Sequence, residues 1–195
     1  MKFSERILLD VAMINDYIPF KITNKHIELL EEFCAECDRL GFVNNSSIDR
    51  MKFDEVNEFG GYFGMMYNGK LVSVAGYSHF PEMGDDAWRI FYRSASFPGH
   101  SPSKGLNRGI GKRAKLYIDE FIKVLPNQKL YITTNLDNGG YKHIVRYHKA
   151  MKISHKLKSS FIIHECDMQL FGVMQSIWRF SVDEYLLQRT KEHNL

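Results

Sequence analysis

Between Lys104 and Ala114 the chain reads Lys-Gly-Leu-Asn-Arg-Gly-Ile-Gly-Lys-Arg-Ala, residue types suited to holding an anion against main-chain amides. Gly105, Gly109 and Gly111 leave the backbone open to close approach. Ile110, Ala114, Tyr117, Ile118, Phe121, Ile122 and Leu125 follow the spacing of a buried helical stripe, so a helix opens out of this segment, and Pro126 follows it. A helix N-terminus carries unpaired N–H groups and the positive end of the dipole. With Lys104, Arg108, Lys112 and Arg113 around it, the assembly suits a pyrophosphate. The plain alternative is a solvated loop whose charges serve only solubility.

Two familiar phosphate motifs do not fit. A Walker A loop has four residues between its first glycine and Gly-Lys, then Ser or Thr for magnesium. Here five residues separate Gly105 from Gly111, and Arg113 follows Lys112. Gly109-Ile-Gly111-Lys-Arg-Ala114 matches the dinucleotide pattern G-x-G-x-x-A, which belongs in a tight turn after the first strand of a βαβ unit. This one lies past mid-chain, separated from its strand by Pro98-Gly-His-Ser-Pro-Ser103.

Other chemistry-bearing residues are less organised. Cys34-Ala-Glu-Cys37 has metal or redox spacing, but no second pair completes a zinc site, and it falls inside an amphipathic helix. We read these as core cysteines, and three cysteines in all form no even disulfide framework. His143, His148, His155 and His164 lack metal-ligand company, so no metal is expected.

The elements that must position the loop follow from pattern. Asn24 could cap a helix running to about Leu40. Asn68-Gly69 marks a two-residue hairpin between strands 61–67 and 71–78. A third strand over 88–97 completes an antiparallel meander, ended by Pro98-Gly99. After the loop and its helix come a buried strand over 129–134, a helix over about 140–151, and two closing strands over about 153–163 and 168–180. A polar tail covers 181–195. This order predicts a mixed α/β sheet in one domain (core about 24–180), not a doubly wound fold.

At 195 residues with 44% apolar content, the chain can bury a sizeable core. Twenty-six basic against 23 acidic residues is too even to argue for nucleic acid. Asp10 interrupts the first apolar run, so neither a signal peptide nor a membrane span is expected. The cysteine usage points to the cytoplasm.

The sequence resembles the GNAT superfamily of N-acetyltransferases, whose members carry a hairpin, a long fourth strand and a Q/R-x-x-G-x-G/A loop opening a helix. A strand, a helix and two closing strands follow. Leu106-Asn-Arg-Gly109-Ile-Gly111 matches both glycine positions and departs at the first, where the family prefers Gln or Arg. Tyr147-His-Lys-Ala150-Met151 resembles the family's tyrosine, small residue and aromatic, with Met151 replacing the aromatic. Seven residues before Tyr147, where the family often has Asn, stands Gly140; Asn135 and Asn138 are nearby. The segment 172–180 is similar to the last strand of some phage-borne members.

The resemblance implies an α/β (α+β) fold with a mostly antiparallel central sheet flanked by helices on both faces. It implies acetyl-CoA as co-substrate and an amine, small molecule or protein, as acceptor, and it allows a homodimer. Amides of Asn107, Arg108, Gly109, Ile110, Gly111 and Lys112 would hold the pyrophosphate, with Lys112 and Arg113 near its charges. The pantetheine arm would pair with Ser94, Ala95 and Ser96, and Asn135 is a further contact. A backbone N–H near Ser94–Ser96 would stabilise the oxyanion, and Tyr147 would protonate the departing thiolate. His79, Glu82, Asp85 and Asp86 are candidate bases that read equally well as solvated loop residues. A non-catalytic interaction protein on the same fold and an RNA- or nucleotide-binding module remain as alternatives.

Overall fold

A seven-stranded sheet organises the protein. The computed structural model describes residues 17–40, 60–97, 112–136 and 161–193. Its strands are β1 (Tyr17–Lys21), β2 (Gly60–Tyr67), β3 (Lys70–His79), β4 (Ala87–Ser96), β5 (Lys129–Asn135), β6 (Ile162–Leu170) and β7 (Val173–Phe180). They lie in the order β1-β2-β3-β4-β5-β7-β6, and β4–β5 is the parallel neighbour among antiparallel ones. The helices are α1 (Ile27–Arg39), α2 (Lys112–Val124) and α3 (Val182–His193). The mixed sheet with helices matches the expected fold class.

Asn68-Gly69 turns the β2–β3 hairpin with φ of 49° and 74°, the left-handed pair a two-residue hairpin requires. The turn between β6 and β7 repeats this geometry at Phe171-Gly172, with φ of 54° and 78°. Because Phe-Gly is a weak turn signal, the expected last strand (168–180) runs through the end of β6, this turn and β7, while most of the expected strand over 153–163 lies outside the described residues. The expected helix over 140–151 lies outside the described residues.

Two further elements depart from expectation. β1 is an edge strand carrying Pro19, which removes a ladder donor and blurs the strand pattern. The expected polar tail contains α3, whose first turn carries Asp183 and Glu184 as the helix dipole favours. Tyr185 buries its ring against Phe161 and Phe180, while its hydroxyl donates to Asp119 Oδ1 at 2.9 Å. Asn24 does not cap α1: it begins a 3-10 turn (Asn24–His26) capped by Thr23, whose amide donates to His26 Nδ1 at 3.1 Å, and His26 then stands at the N-cap of α1.

Each sheet face has its own core. On one, α2 and α3 cover Phe63, Tyr77, Ile90, Leu130, Ile132, Trp178 and Phe180. The stripe Tyr117, Ile118 and Phe121 is fully buried there, so truncating Phe121 to Ala costs about 3–5 kcal/mol. On the opposite face, α1 packs Phe33, Cys34 and Cys37 on Tyr62, Leu71 and Val74. Farther along that face, Phe80, Ala87, Tyr131, Leu170 and Ile177 form a third cluster.

Candidate active site

β4 and β5 are pinned together at one end and part along the rest. Their register covers Ala87↔Lys129, Trp88↔Leu130 and Arg89↔Tyr131, three pairs in strands of ten and seven residues. The closed end is fastened twice: the Lys129 amide donates to the Asp86 carbonyl at 2.9 Å, and Lys129 Nζ meets the Asp86 carboxylate at 3.2 Å.

The parting has a local cause. β4 carries two bulges against β3, because Tyr77, Gly76 and Val74 oppose Ile90, Tyr92 and Ala95. The extra residues bring Phe91 and Arg93 into the left-handed region, at φ of 57° and 47°. Bulges bend a strand and steepen its twist. β5 stays in register with β7 from Leu130 to Asn135. A bent strand beside a straight one cannot stay paired.

Gly76 makes the bend tolerable. A Cβ there would stand 2.4 Å from the Tyr92 carbonyl oxygen and 2.6 Å from the Tyr62 ring. Beyond Arg89, then, the edge of β4 turned toward β5 has no strand pairing with it among the described residues. Such an edge can accept an extended, amide-bearing ligand as an added strand.

Helix α2 meets the open end of this gap. Tyr117 places its hydroxyl 2.8 Å from Ser73 Oγ, and Ser73 is the register partner of Ser96 near the end of β4. Phe121 lies against Tyr77, farther toward the closed end, so the helix runs antiparallel to β4. Its first residue, Lys112, is five residues before Tyr117, about 7 Å along the axis at the rise of an α-helix. The helix N-terminus, with its preference for anions, therefore lies at the end where the strands stand apart. The Arg113 guanidinium sits 4.8 Å over the Tyr17 ring beside that turn.

Of the expected site residues, Ser94, Ala95 and Ser96 lie on the parted stretch of β4, with Ala95 and Ser96 paired on the other side to Val74 and Ser73. Asn135 ends β5 opposite Gln175, on the far wall of the gap. Lys112 and Arg113 begin α2. Asn107, Arg108, Gly109, Ile110, Gly111 and Tyr147 lie outside the described residues.

Three of the candidate bases are engaged at the closed end. His79 Nε2 contacts the Asp85 carbonyl at 2.9 Å, and Asp86 belongs to the clamp. These sit at the closed end, beside a concavity of about 460 Å³ lined by His79, Trp88, Leu125 and Pro126. That hollow lies away from the parted stretch. Among the described residues no group of three or more His, Cys, Asp or Glu side chains could hold a metal ion. No described helix is long and apolar enough to cross a membrane.

Sequence reasoning missed Arg89, at the last register pair before the strands part. It is 7% exposed and shares its face with Ala87, opposite α2. Nε donates to Ser78 Oγ at 3.1 Å and Nη2 to the His79 carbonyl at 3.5 Å, while buried Nη1 has no hydrogen-bond partner. Burial pulls its pKa below the ordinary arginine value, opposed by the Tyr92 hydroxyl and the Glu82 carboxylate. The available signal was a charged residue between Trp88 and Ile90 in an otherwise apolar strand start.

Comparison with known proteins places this architecture. No family model matches the sequence, and no curated protein does. Among solved structures, a putative GNAT-family acetyltransferase from Desulfovibrio desulfuricans is similar with a TM-score of 0.53 at 13% identity, covering 85% of this chain and 99% of that one. The aminoglycoside N-acetyltransferase AAC(6')-Ib11 gives 0.55 at 13% identity over 87% and 98% of the two chains. RimL, a ribosomal L7/L12 alpha-N-protein acetyltransferase solved in complex with coenzyme A, gives 0.54 at 9% identity over 86% and 95%. The chain has the fold of the GNAT acetyltransferases.

Proposed function

We propose that this protein is an acyl-CoA-dependent N-acetyltransferase that moves an acetyl group from acetyl-CoA to a primary amine. The observation that carries the reading is the parted β4–β5 pair, with the N-terminus of α2 at its open end. The fold supports it, since similar chains include N-acetyltransferases and one was solved with coenzyme A.

The residues present suit the donor. The β5-facing edge of Ser94–Ser96, which no strand pairs among the described residues, offers main-chain groups to the amides of a pantetheine arm. Residues 107–112, with Arg108 and Lys112 among them, lead in sequence to the first described residue of α2, and we propose that their amides and cations hold the diphosphate. Pro98 has no N–H, so strand-like pairing along β4 ends there.

Chemistry follows from that placement. A neutral amine attacks the thioester carbonyl, and the C–S bond breaks as the oxyanion collapses. A main-chain N–H of the bulged stretch before Ser96 would stabilise the oxyanion. The attacking nitrogen gives up its extra proton to water, and the thiolate leaves with a proton for which Tyr147 is the proposed donor. The cytoplasm, where acetyl-CoA is available, is the setting we propose.

Calorimetric titration of the full chain with acetyl-CoA and with coenzyme A tests the reading. Saturable binding of both is expected. Heats of dilution alone at millimolar ligand would overturn it.

A further inference from the structure

The most unusual polar group among the described residues is Arg89. A buried guanidinium is normally paired, because moving a cation out of water is expensive unless an anion and hydrogen bonds replace the lost hydration. Here Nε and Nη2 each have one neutral oxygen and Nη1 has none. No carboxylate pairs with it among the described residues; Glu82 favours the cation only through its field.

Its surroundings select the kind of anion. The Tyr92, Phe80 and Phe171 rings lie 4.4, 4.9 and 5.3 Å from the guanidinium carbon. Three aromatic rings crowd the guanidinium carbon and offer no oxygen acceptor to Nη1, the N–H group left for a ligand. In-plane approach suits a planar, two-oxygen carboxylate, which guanidinium binds through parallel N–H···O bonds. A phosphate can engage the same fork; a singly charged carboxylate matches the single buried cation charge without leaving a second charge to desolvate.

The location ties this edge to the gap. Arg89 is the last β4 residue in register with β5, and Tyr92 follows within the bulged stretch. Phe171 stands at the β6–β7 turn, 68% exposed and at φ 54°, so one of the three rings around the guanidinium sits on an exposed, strained hairpin tip.

We infer that Arg89 is the recognition point for a carboxylate carried by the amine acceptor, making the acceptor an amino acid or a peptide-like amine with a free carboxylate. The inference rests on the transferase reading above. Arg89 binds and orients the acceptor from the face opposite α2, and Phe171 and Tyr92 shield the ion pair from water.

Paired acceptors test it: amino acids and dipeptides against their C-terminal amides, with initial rates measured in saturating acetyl-CoA. The free carboxylates are expected to show kcat/KM at least about tenfold higher, as loss of one charged hydrogen-bonded contact implies. Arg89→Met should erase that preference and leave acetyl-CoA affinity unchanged. Equal rates for acids and amides, or a preference that survives Arg89→Met, would overturn the inference while acetyl-CoA binding kept the transferase reading intact. A melting experiment needs no turnover. Millimolar glutarate should raise the Tm of the wild type and not of Arg89→Met, and that variant alone should melt no lower than wild type. A variant that melts much lower, with no glutarate shift in the wild type, would make Arg89 an architectural post. If acetyl-CoA fails to bind but the Arg89-dependent glutarate shift persists, the carboxylate site stands and the transferase reading falls.

Discussion

Ser73 and Tyr117 join β3 to α2 through a buried hydroxyl pair, 2.8 Å apart, at the level where Ser73 faces Ser96. Burial, the larger influence, pushes the Tyr117 phenol well above its ordinary pKa, opposed by the bond to Ser73; it stays protonated and able to donate. The pair sets how far the N-terminus of α2 stands from the end of β4. Tyr117→Phe should cost about 1–3 kcal/mol, because Ser73 is left buried without its partner. The double variant Tyr117→Phe/Ser73→Ala should recover part of that loss. A urea-denaturation double-mutant cycle measures both; strict additivity would show that the hydroxyls do not couple.

Gly76 is held to glycine by direct steric conflict. Its absent Cβ is what lets the Tyr92 carbonyl approach, and without that approach β4 cannot bulge as it does. Gly76→Ala should destabilise by at least about 3 kcal/mol, the upper range of overpacking. For a chain this size that lowers Tm by roughly 6–12 °C. A thermal melt unchanged from wild type would mean the bulge has room to spare.

Under the proposed function, Tyr147 and Gly109 separate chemistry from binding. Tyr147→Phe should lower kcat by about 10²–10⁴, the usual range for a general acid, with acetyl-CoA affinity unchanged. Gly109→Glu adds bulk and negative charge where amides should meet a diphosphate, so it should abolish acetyl-CoA binding without changing the melting temperature. Calorimetry and steady-state rates on the two variants should give opposite patterns. Weakened donor binding in Tyr147→Phe would move that residue from proton donor to contact.

Cys37 predicts a pH dependence. Burial, aided by neighbouring Cys34, Asp38 and Glu36, pushes its thiol from the ordinary 9.0 up to about 12. In the unfolded chain the thiol ionises first, so from pH 9 upward the unfolded state binds fewer protons and folding weakens. Stability should be constant in this respect below pH 9 and fall progressively toward pH 12. Cys37→Ala should flatten that alkaline slope, and a slope unchanged in the variant would assign it elsewhere.

The elements legible in the sequence were those with a local signal. Asn68-Gly69 gave both strands of its hairpin, and the 110–125 stripe gave α2 because its apolar spacing matches the face it buries. Phe171-Gly172 adopts the same backbone as Asn68-Gly69, yet a phenylalanine at positive φ is not a residue one expects there. Its place is explained only by a partner distant in sequence, the Arg89 guanidinium. Arg89 itself reads as an exposed strand charge until the third dimension puts Phe80 and Tyr92 around it. The bulges that open the gap were illegible for a similar reason. Phe91 and Arg93 carry no left-handed preference, and what permits their geometry is Gly76 on another strand.

α2 lies on one face of the sheet and Arg89 on the other. Under the proposed chemistry the two substrates reach the gap from opposite sides, so neither obstructs the other's doorway. Arrival order is then unconstrained by sterics, and both must be resident together before bond exchange, a traffic pattern written into the sheet's thickness.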